Sequence, residues 1–202
     1  MSGRRSISVL DYGSGNIRSA QRALERVGLQ VEVTSDFNKA LNAEGLVVPG
    51  VGAFGSCMRQ LREIRGDEII KNRFDSVRPT LGICVGMQIF FDGSDESEDL
   101  GLSLLSGRVA KLNAPVLPHI GWNELNGSSA LQLLTGLDGE RFYFVHSYAA
   151  KSAPVGASTA STKYGEEFLA ALEVGALKAV QFHPEKSGDA GLQLLKNWAD
   201  AL

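Results

Sequence analysis

Apolar strand-like runs alternate with amphipathic helical segments through the first half of the chain. The runs at residues 6–10, 30–34, 45–49 and 80–84 are short and apolar, which is typical of buried strands. Helical spacing of apolar residues separates them at 16–27, after Asp36, at 57–70 and again at 86–91. Strands that alternate with helices pair in parallel and are covered on both faces. The pattern therefore predicts an α/β fold with a mostly parallel central sheet and flanking helices.

The second half of the chain is richer in strand-like segments. Short apolar segments with few helical stretches between them occur at 107–112, 141–148, 157–162, 168–174 and 176–182. They predict extra antiparallel strands and hairpins on the same sheet, followed by a helix at 188–202. The acidic stretch at 92–99 is interpreted as a solvated surface loop. With 202 residues, the chain is expected to form one domain, 1–202.

Composition limits the classes of partner. The formal net charge is -3 with a pI of about 5.7, too mild to indicate a nucleic-acid or membrane partner. The two cysteines form no CxxC pair, and the three histidines show no metal-ligand spacing. No disulfide, metal or cofactor is therefore expected. The absence of a cysteine framework and of an apparent export signal favours a cytoplasmic location.

Cys84 stands where an apolar strand runs into a helical segment, in the stretch TLGICVGMQ. Gly82 and Gly86 lie two residues to either side, as in a nucleophile elbow, whose sharp turn crowds neighbouring side chains. Such a turn places the thiol at a helix start, where the reactive thiolate is favoured. The N–H of Val85 would then face the anion that forms on an attacked carbonyl. A buried structural cysteine is the alternative interpretation of this stretch.

A second stretch, VQFHPEKS, ends another apolar run. A cysteine nucleophile needs a base that takes and returns its proton, and a third group that orients the base. His183 and Glu185 have the right chemistry, and Pro184 stiffens the link between them. Taken alone, this histidine is more often a surface residue or one whose ring is already hydrogen-bonded.

Together, the stretches GICVGMQ and QFHPEKS closely resemble those of the class I (triad-type) glutamine amidotransferases. The resemblance implies that family's flavodoxin-like fold and a Cys-His-Glu triad. Cys84 would attack the side-chain amide of glutamine, His183 would serve as general base and then acid, and Glu185 would orient His183. A glutamyl thioester would form and be hydrolysed, so that glutamate and ammonia leave.

Other stretches resemble the parts of this family that hold the substrate. The segment PGVG at 49–52 resembles the oxyanion strand, so the N–H of Val51 would join that of Val85 in the oxyanion hole. In the family, the peptide at this point is thought to turn its N–H toward the oxyanion when a partner is bound. The matching substrate-binding positions are Gly50, Gly52, Gln88, His146, Ser147 and Tyr148. Without the resemblance, segment 141–148 reads as a buried strand.

One branch of the family matches further. The stretches DYGSGN at 11–16, PHIGWN at 118–123 and KSG at 186–188 resemble the glutaminase subunits of imidazole glycerol phosphate synthases, from histidine biosynthesis. The resemblance implies a heterodimer with a cyclase subunit, a (β/α)8 barrel that uses the ammonia to make imidazole glycerol phosphate and aminoimidazole carboxamide ribotide. Trp122, Asn123 and Lys186 are the interface candidates, since tryptophan is a good interface anchor.

Three alternatives stay open from the sequence. The first is another amidotransferase branch, such as the glutaminase of pyridoxal phosphate synthesis. The second is a cysteine peptidase of the same elbow fold, and the third is a flavodoxin-like binding module with an accidental cysteine and histidine. DYGSGN lacks the lysine of a Walker A loop and the third glycine of a dinucleotide loop, which argues against nucleotide binding.

Overall fold

A computed structural model describes residues 5–202, apart from the side chain of residue 129, so residues 1–4 of the predicted domain lie outside it. Its strands are β1 (Ser6–Leu10), β2 (Gln30–Thr34), β3 (Gly45–Gly50), β4 (Thr80–Cys84), β5 (Gly93–Ser94), β6 (Ser97–Leu100), β7 (Arg108–Lys111), β8 (His119–Glu124), β9 (Arg141–His146), β10 (Tyr148–Ala150), β11 (Ser158–Tyr164), β12 (Glu166–Val174) and β13 (Leu177–Val180). Its α-helices are α1 (Ile17–Arg26), α2 (Phe37–Asn42), α3 (Phe54–Glu63), α4 (Gly66–Asp75), α5 (Val85–Gln88) and α6 (Gly188–Asp200). Among the described residues, no helix is long and apolar enough to cross a membrane.

The largest sheet has seven strands in the order β11-β12-β13-β4-β3-β1-β2. The five strands from β13 to β2 pair in parallel, whereas β11 and β12 pair antiparallel at one edge. The central strands β3 and β4 are buried along their whole length, because α-helices flank this sheet. Helix α1 contacts α6, and α4 contacts α2 and α3. The predicted α/β class with a mostly parallel sheet is confirmed.

The prediction that all later strands join this sheet is wrong. Segment 141–148 breaks at Ser147, so that β9 pairs with β8 in a two-stranded sheet and β10 pairs with β7 in a four-stranded one. Only β11, β12 and β13 extend the main sheet, as expected. The apolar pattern identified these strands, but a pattern of period two does not encode which neighbour a strand pairs with.

The predicted single helix at 57–70 is two helices, α3 and α4. The chain turns between them because Arg65 adopts a left-handed conformation with φ 56°. Gly66 permits the close packing at this turn, since a Cβ there would lie 2.5 Å from Cδ1 of Leu61. The apolar spacing continues through both helices, which is why the sequence alone suggested one.

The acidic stretch at 92–99 contains strands instead of the predicted loop, although Asp95, Glu96 and Glu98 are exposed as the solvated-surface interpretation expected. It forms β5 and β6, which pair as a hairpin. The carboxylate of Glu96 accepts a hydrogen bond of 2.8 Å from the N–H of Phe54, which opens α3. Asp99 forms an ion pair of 2.5 Å with Arg59. Both carboxylates therefore hold the hairpin against α3, a role that composition did not reveal.

The order of the strands determines where a ligand can bind. β2 lies on one side of β1 and β3 on the other, so the connections to the two neighbours of β1 diverge there. In open parallel sheets such a switch point leaves a crevice at the carboxyl ends of the strands. The stretch DYGSGN follows β1, and Val51 follows β3. Cys84 is the last residue of β4 and Val85 comes next, while His183 follows β13. The fold thus brings four separate sequence motifs to one edge.

A strained valine ends α4 and gives a first prediction. Val77 has φ 53° and is 68% exposed, and the N–H of Arg78 donates to the carbonyl of Arg73 across it. This helix-ending motif normally has glycine at the left-handed position. We expect Val77→Gly to raise the free energy of unfolding by about 0.5–1 kcal/mol. Glycine relieves the strain of the left-handed backbone, and part of that gain is offset by the larger conformational entropy of glycine in the unfolded chain. Urea unfolding measures it, with Val77→Ala as control. An equal gain from alanine would assign the effect to side-chain shape.

Candidate active site

Cys84 sits on a strained turn between β4 and α5. Its backbone has φ 56° and ψ −114°, and residues other than glycine rarely adopt a positive φ. A Cβ on Gly82 would lie 2.5 Å from Cε2 of Phe90, and a Cβ on Gly86 would collide with the carbonyl oxygen of Val48. Side chains at both positions would therefore clash, which is the crowding that the elbow interpretation assumed. Helix α5 has only 4 residues, so its dipole contributes little to a thiolate and the neighbouring base matters more.

His183 and Glu185 form a buried pair just after β13. Nδ1 of His183 lies 2.7 Å from Oε1 of Glu185, and both side chains are 1% exposed. The backbone carbonyl of His183 accepts a hydrogen bond from Oγ of Ser187 at 2.7 Å. The backbone N–H of His183 donates to the carbonyl of Tyr143 at 2.9 Å. Because Nδ1 is taken by Glu185, Nε2 is the nitrogen left to exchange a proton with a thiol. Nε2 has no hydrogen-bond partner of standard geometry among residues 5–202.

The surroundings of His183 favour its protonated form. Burial lowers the pKa of its imidazole, but the hydrogen bonds and charges of Cys84 and Glu185 outweigh burial and raise the pKa to about 9. The interaction with Cys84 acts although the ring and thiol do not meet strict hydrogen-bond geometry, which free enzymes often lack before substrate binds. The raised pKa makes Nε2 of His183 a strong acceptor for a proton at this site.

The other two histidines differ from His183. Nδ1 of His146 donates to the carbonyl of Tyr148 at 2.9 Å, and burial lowers the pKa of His146 to about 3. Burial also lowers the pKa of His119, which stacks on Tyr164 with ring centroids 4.0 Å apart. Both rings are therefore neutral at physiological pH. Within the part of the chain that the structure describes, His183 is the histidine that has a carboxylate partner and a raised pKa.

Asn16 adds a contact that the sequence interpretation missed. It precedes α1 in a left-handed conformation, and its Nδ2 donates to the same Oε1 of Glu185 that His183 contacts. The carboxylate is thus fixed by two donors from different parts of the chain. The signal was present in DYGSGN, but nothing in that stretch shows that its asparagine meets residue 185. Oε2 of Glu185 is buried and has no partner among the described residues.

A cavity of about 470 Å³ opens over Cys84. It brings together most of the residues expected to bind substrate, together with Glu96 and Pro118, which were not expected. Gly50 and Glu185 lie outside its lining, as do Trp122 and Asn123. The lining residues are Asn16, Val51, Gly52, Cys84, Val85, Gln88, Glu96, Pro118, Val145, His146, Ser147, Tyr148, His183 and Lys186. The volume suits a small polar molecule.

Gln88, which lines this cavity, is hydrogen-bonded to the fully buried Gln181. Nε2 of Gln88 donates to the carbonyl of Tyr148 at 2.9 Å and to Oε1 of Gln181 at 3.0 Å. Nε2 of Gln181 in turn lies 3.7 Å from Sγ of Cys84. Both amide hydrogens of Gln88 are thus used within the protein, which leaves its Oε1 for a ligand. Gln181 was not among the expected site residues, although it belongs to the stretch QFHPEKS.

Two of the three expected interface residues, Trp122 and Asn123, lie on β8 and point to opposite faces of it. Trp122 is 51% exposed, on the same face as Ile120, which is 60% exposed. Its ring lies 5.9 Å from that of Tyr143 on β9, and Nζ of Lys186 lies 6.0 Å from the centre of the same tyrosine ring. Asn123 points to the opposite face, where its Nδ2 donates to the carbonyl of Lys163 at 3.0 Å.

Comparison with known proteins identifies the family. Residues 8–201 match the family described as Glutamine amidotransferase class-I. The chain is 55% identical to the imidazole glycerol phosphate synthase subunit HisH of Mycobacterium tuberculosis (98% of each chain). It is 52% identical to the subunit of the same name from Corynebacterium diphtheriae (98% of this chain and 100% of that one).

Solved structures show the same fold. A crystal structure of a glutamine amidotransferase superposes with TM-score 0.77 at 19% identity, over 96% of this chain and 98% of that one. PurLQS from Thermotoga maritima gives 0.74 at 18% identity, over 98% and 99%. At such low identity the likeness concerns the fold alone, whereas the family match covers nearly the whole sequence. The chain belongs to the class-I glutamine amidotransferase family.

Proposed function

We propose that this chain is the glutamine-hydrolysing subunit of an imidazole glycerol phosphate synthase in histidine biosynthesis. The observation that carries the proposal is the buried His183–Glu185 pair, whose His183 lines the same cavity as the strained Cys84. The chemistry follows from the family, and the choice of branch follows from the more than 50% identity to the subunits from Mycobacterium and Corynebacterium along their whole length.

The mechanism begins with transfer of the thiol proton from Cys84 to Nε2 of His183. The thiolate attacks the side-chain carbonyl carbon of glutamine, and the resulting oxyanion is held by the N–H groups of Val51 and Val85. The imidazolium of His183 gives its proton to the leaving nitrogen, so ammonia departs and a thioester remains. His183 then deprotonates a water molecule, which attacks the thioester and releases glutamate. Glu185 keeps Nδ1 occupied and stabilises the imidazolium at both stages.

The cavity supplies contacts for the two ends of glutamine. Glu96 is the carboxylate among the lining residues, and it offers a charge partner for the α-amino group. The backbone around Ser147 and Tyr148 and the free Oε1 of Gln88 would hold the amino-acid end. The backbone freedom of Gly50 and Gly52 lets the oxyanion strand approach the scissile amide. This assignment keeps the side-chain amide of the substrate next to Cys84.

The partner in this proposal is a cyclase subunit with a (β/α)8 barrel. The exposed apolar pair Ile120 and Trp122, with Lys186 nearby, forms the candidate docking face. Asn123 is less suited to that face, because its side chain is engaged on the other side of β8. Ammonia would pass from Cys84 into the barrel. A catalytic free thiol also suits a reducing compartment, so the proposal places the pair in the cytoplasm.

Glutamate release from glutamine tests the proposal. The chain would be assayed alone, with the cyclase subunit of the same organism, and with that subunit plus its nucleotide substrate. We expect strong release only in the last mixture. Release that does not depend on the cyclase would assign the chain to another amidotransferase branch. No release in any mixture, with folded protein, would refute the glutaminase itself.

The raised pKa of His183 predicts the alkaline limit of the reaction. A group with a pKa of about 9 keeps its proton below that pH and loses it above. Since His183 must protonate the leaving nitrogen, we expect kcat to fall as the pH rises through about 9. Glu185→Gln removes a charge that raises this pKa, so its alkaline limb should move to lower pH. A pH profile of kcat for both proteins measures the shift, and an unmoved limb would contradict it.

A further inference from the structure

The peptides around the oxyanion strand are held by side chains that no catalytic step uses. The carbonyl of Pro49 accepts two hydroxyl hydrogens, from Oη of Tyr12 at 2.5 Å and from Oγ of Ser14 at 3.1 Å. Both hydroxyls come from the loop after β1 and are buried. A carbonyl oxygen has two lone pairs, so this one is saturated. The peptide between Pro49 and Gly50 is therefore fixed in orientation.

A second clamp acts two residues further along. Sγ of Cys57, on α3, donates to the carbonyl of Val51 at 3.5 Å and is 1% exposed. Cys57 and Tyr12 are close enough to influence each other's ionisation. Burial raises the pKa of Cys57 to about 11 and also raises that of Tyr12, so both groups keep their hydrogens as donors at physiological pH.

The peptide between these clamps carries the N–H proposed for the oxyanion hole. Within residues 5–202 the N–H of Val51 donates no hydrogen bond. A Cβ on Gly50 would lie 2.5 Å from the N of Gly86 and 2.9 Å from the carbonyl carbon of Val85, so the strand rests directly on the elbow. Gly52, with φ 98° and open space around it, follows immediately. The direction of the Val51 N–H thus depends on rotations at Gly50 and Val51, whose flanking peptides are fixed.

We infer that Tyr12, Ser14 and Cys57 are positioning residues for the oxyanion hole, which set the direction of the Val51 N–H by clamping the carbonyls of Pro49 and Val51. The inference rests on the proposed glutaminase function. A donor that stabilises the oxyanion acts in the transition state more than in the bound substrate. Loosening the clamps should therefore lower kcat and leave KM for glutamine nearly unchanged.

The test uses the double variant Tyr12→Phe, Ser14→Ala in the complex with the cyclase subunit and its nucleotide substrate. Since losing one oxyanion donor costs about 10²–10³ in kcat, a misdirected donor is expected to cost about ten-fold or more. KM and the rate of Cys84 alkylation by iodoacetamide should stay within about two-fold of wild type, because displacement of iodide forms no oxyanion. Tyr164→Phe is the matched control, as its hydroxyl also donates to a carbonyl, that of Val116 at 3.1 Å, away from the cavity.

Substitutions at Cys57 supply the conservative comparison. Cys57→Ala removes the donor to Val51 and is expected to lower kcat, whereas Cys57→Ser keeps a donor and should restore it. A double variant with unchanged kcat, measured well below its unfolding temperature, would overturn the inference. So would a fall in alkylation that parallels kcat, since that places the effect on the nucleophile. If the wild-type complex itself releases no glutamate, the proposed function fails instead.

Discussion

Cys84→Ala is expected to abolish glutamine hydrolysis while leaving the complex able to use free ammonium. In the proposed mechanism the sulfur of Cys84 bonds to the substrate, and Cys84 is the cavity-lining residue that stands on the strained turn after β4. Removing the nucleophile of a triad costs roughly a thousand-fold or more in kcat, because the remaining members have nothing to activate. In the proposed reaction the cyclase combines ammonia with its nucleotide substrate and does not use glutamine directly, so ammonium added in excess should support product formation by the variant complex.

Two assays on the same preparation decide the result. The first measures glutamate release from glutamine, and the second measures cyclase product formed with ammonium in place of glutamine. Loss of the first with the second retained within about two-fold would assign Cys84 to covalent chemistry. Loss of both would indicate damage to the partner interface. Glutamate release above about one per cent of wild type would contradict the role of Cys84 as nucleophile.

The catalytic turn was predictable because its requirements are local. Gly82, Cys84 and Gly86 lie within five residues, and the reason for the two glycines is the crowding of that turn. The parallel sheet was predictable for a similar reason, since a strand buried on both faces must be mostly apolar, as β3 and β4 are apart from Thr80. Local sequence carries both features without knowledge of the rest of the chain.

Features that depend on distant parts of the chain were not predictable in this way. The break at Ser147 sends β9 and β10 to different sheets, and their partners β8 and β7 come from earlier segments. Asn16 stands 169 positions before Glu185, and only the fold brings the two side chains together. From the sequence, Glu96 is one of several solvated acids, because its hydrogen bond with the first residue of α3 exists only in the fold. Such roles arise from pairing, which one sequence does not display.

Arg73→Met is expected to give the largest loss of stability of the variants considered. The guanidinium of Arg73 is fully buried and forms no ion pair with a described residue. It donates instead to the carbonyls of Leu41 at 2.8 Å, Ala43 at 2.9 Å and Pro79 at 2.7 Å. These carbonyls lie at the end of α2 and just before β4. Methionine fills similar space but removes one charged donor from each carbonyl. The carbonyl of Leu41 keeps the hydrogen bond from Arg78, and that of Pro79 keeps the one from the N–H of Leu46.

The expected cost is about 3 kcal/mol, since a buried hydrogen bond from a charged group contributes about 1.5–3 kcal/mol and part of the loss is recovered by no longer burying a charge. Burying the charge of Arg73 is itself unfavourable, and for this reason burial lowers the pKa of Arg73 to about 10. Urea unfolding measures the loss. Arg78→Met is the matched control: Arg78 donates to the carbonyls of Leu41 and Asn42 at 2.7 and 2.9 Å, but it is only half-buried, so water can replace it.

These contacts lie at the end of the sheet opposite the cavity, because Thr80 begins the strand that ends at Cys84. We therefore expect Arg73→Met to unfold at lower urea yet to keep a kcat near wild type while folded. If Arg73→Met is no less stable than Arg78→Met, the desolvation of the guanidinium must cancel its hydrogen bonds. A loss of kcat without a loss of stability would instead show that the position of β4, and with it the elbow, depends on this arginine.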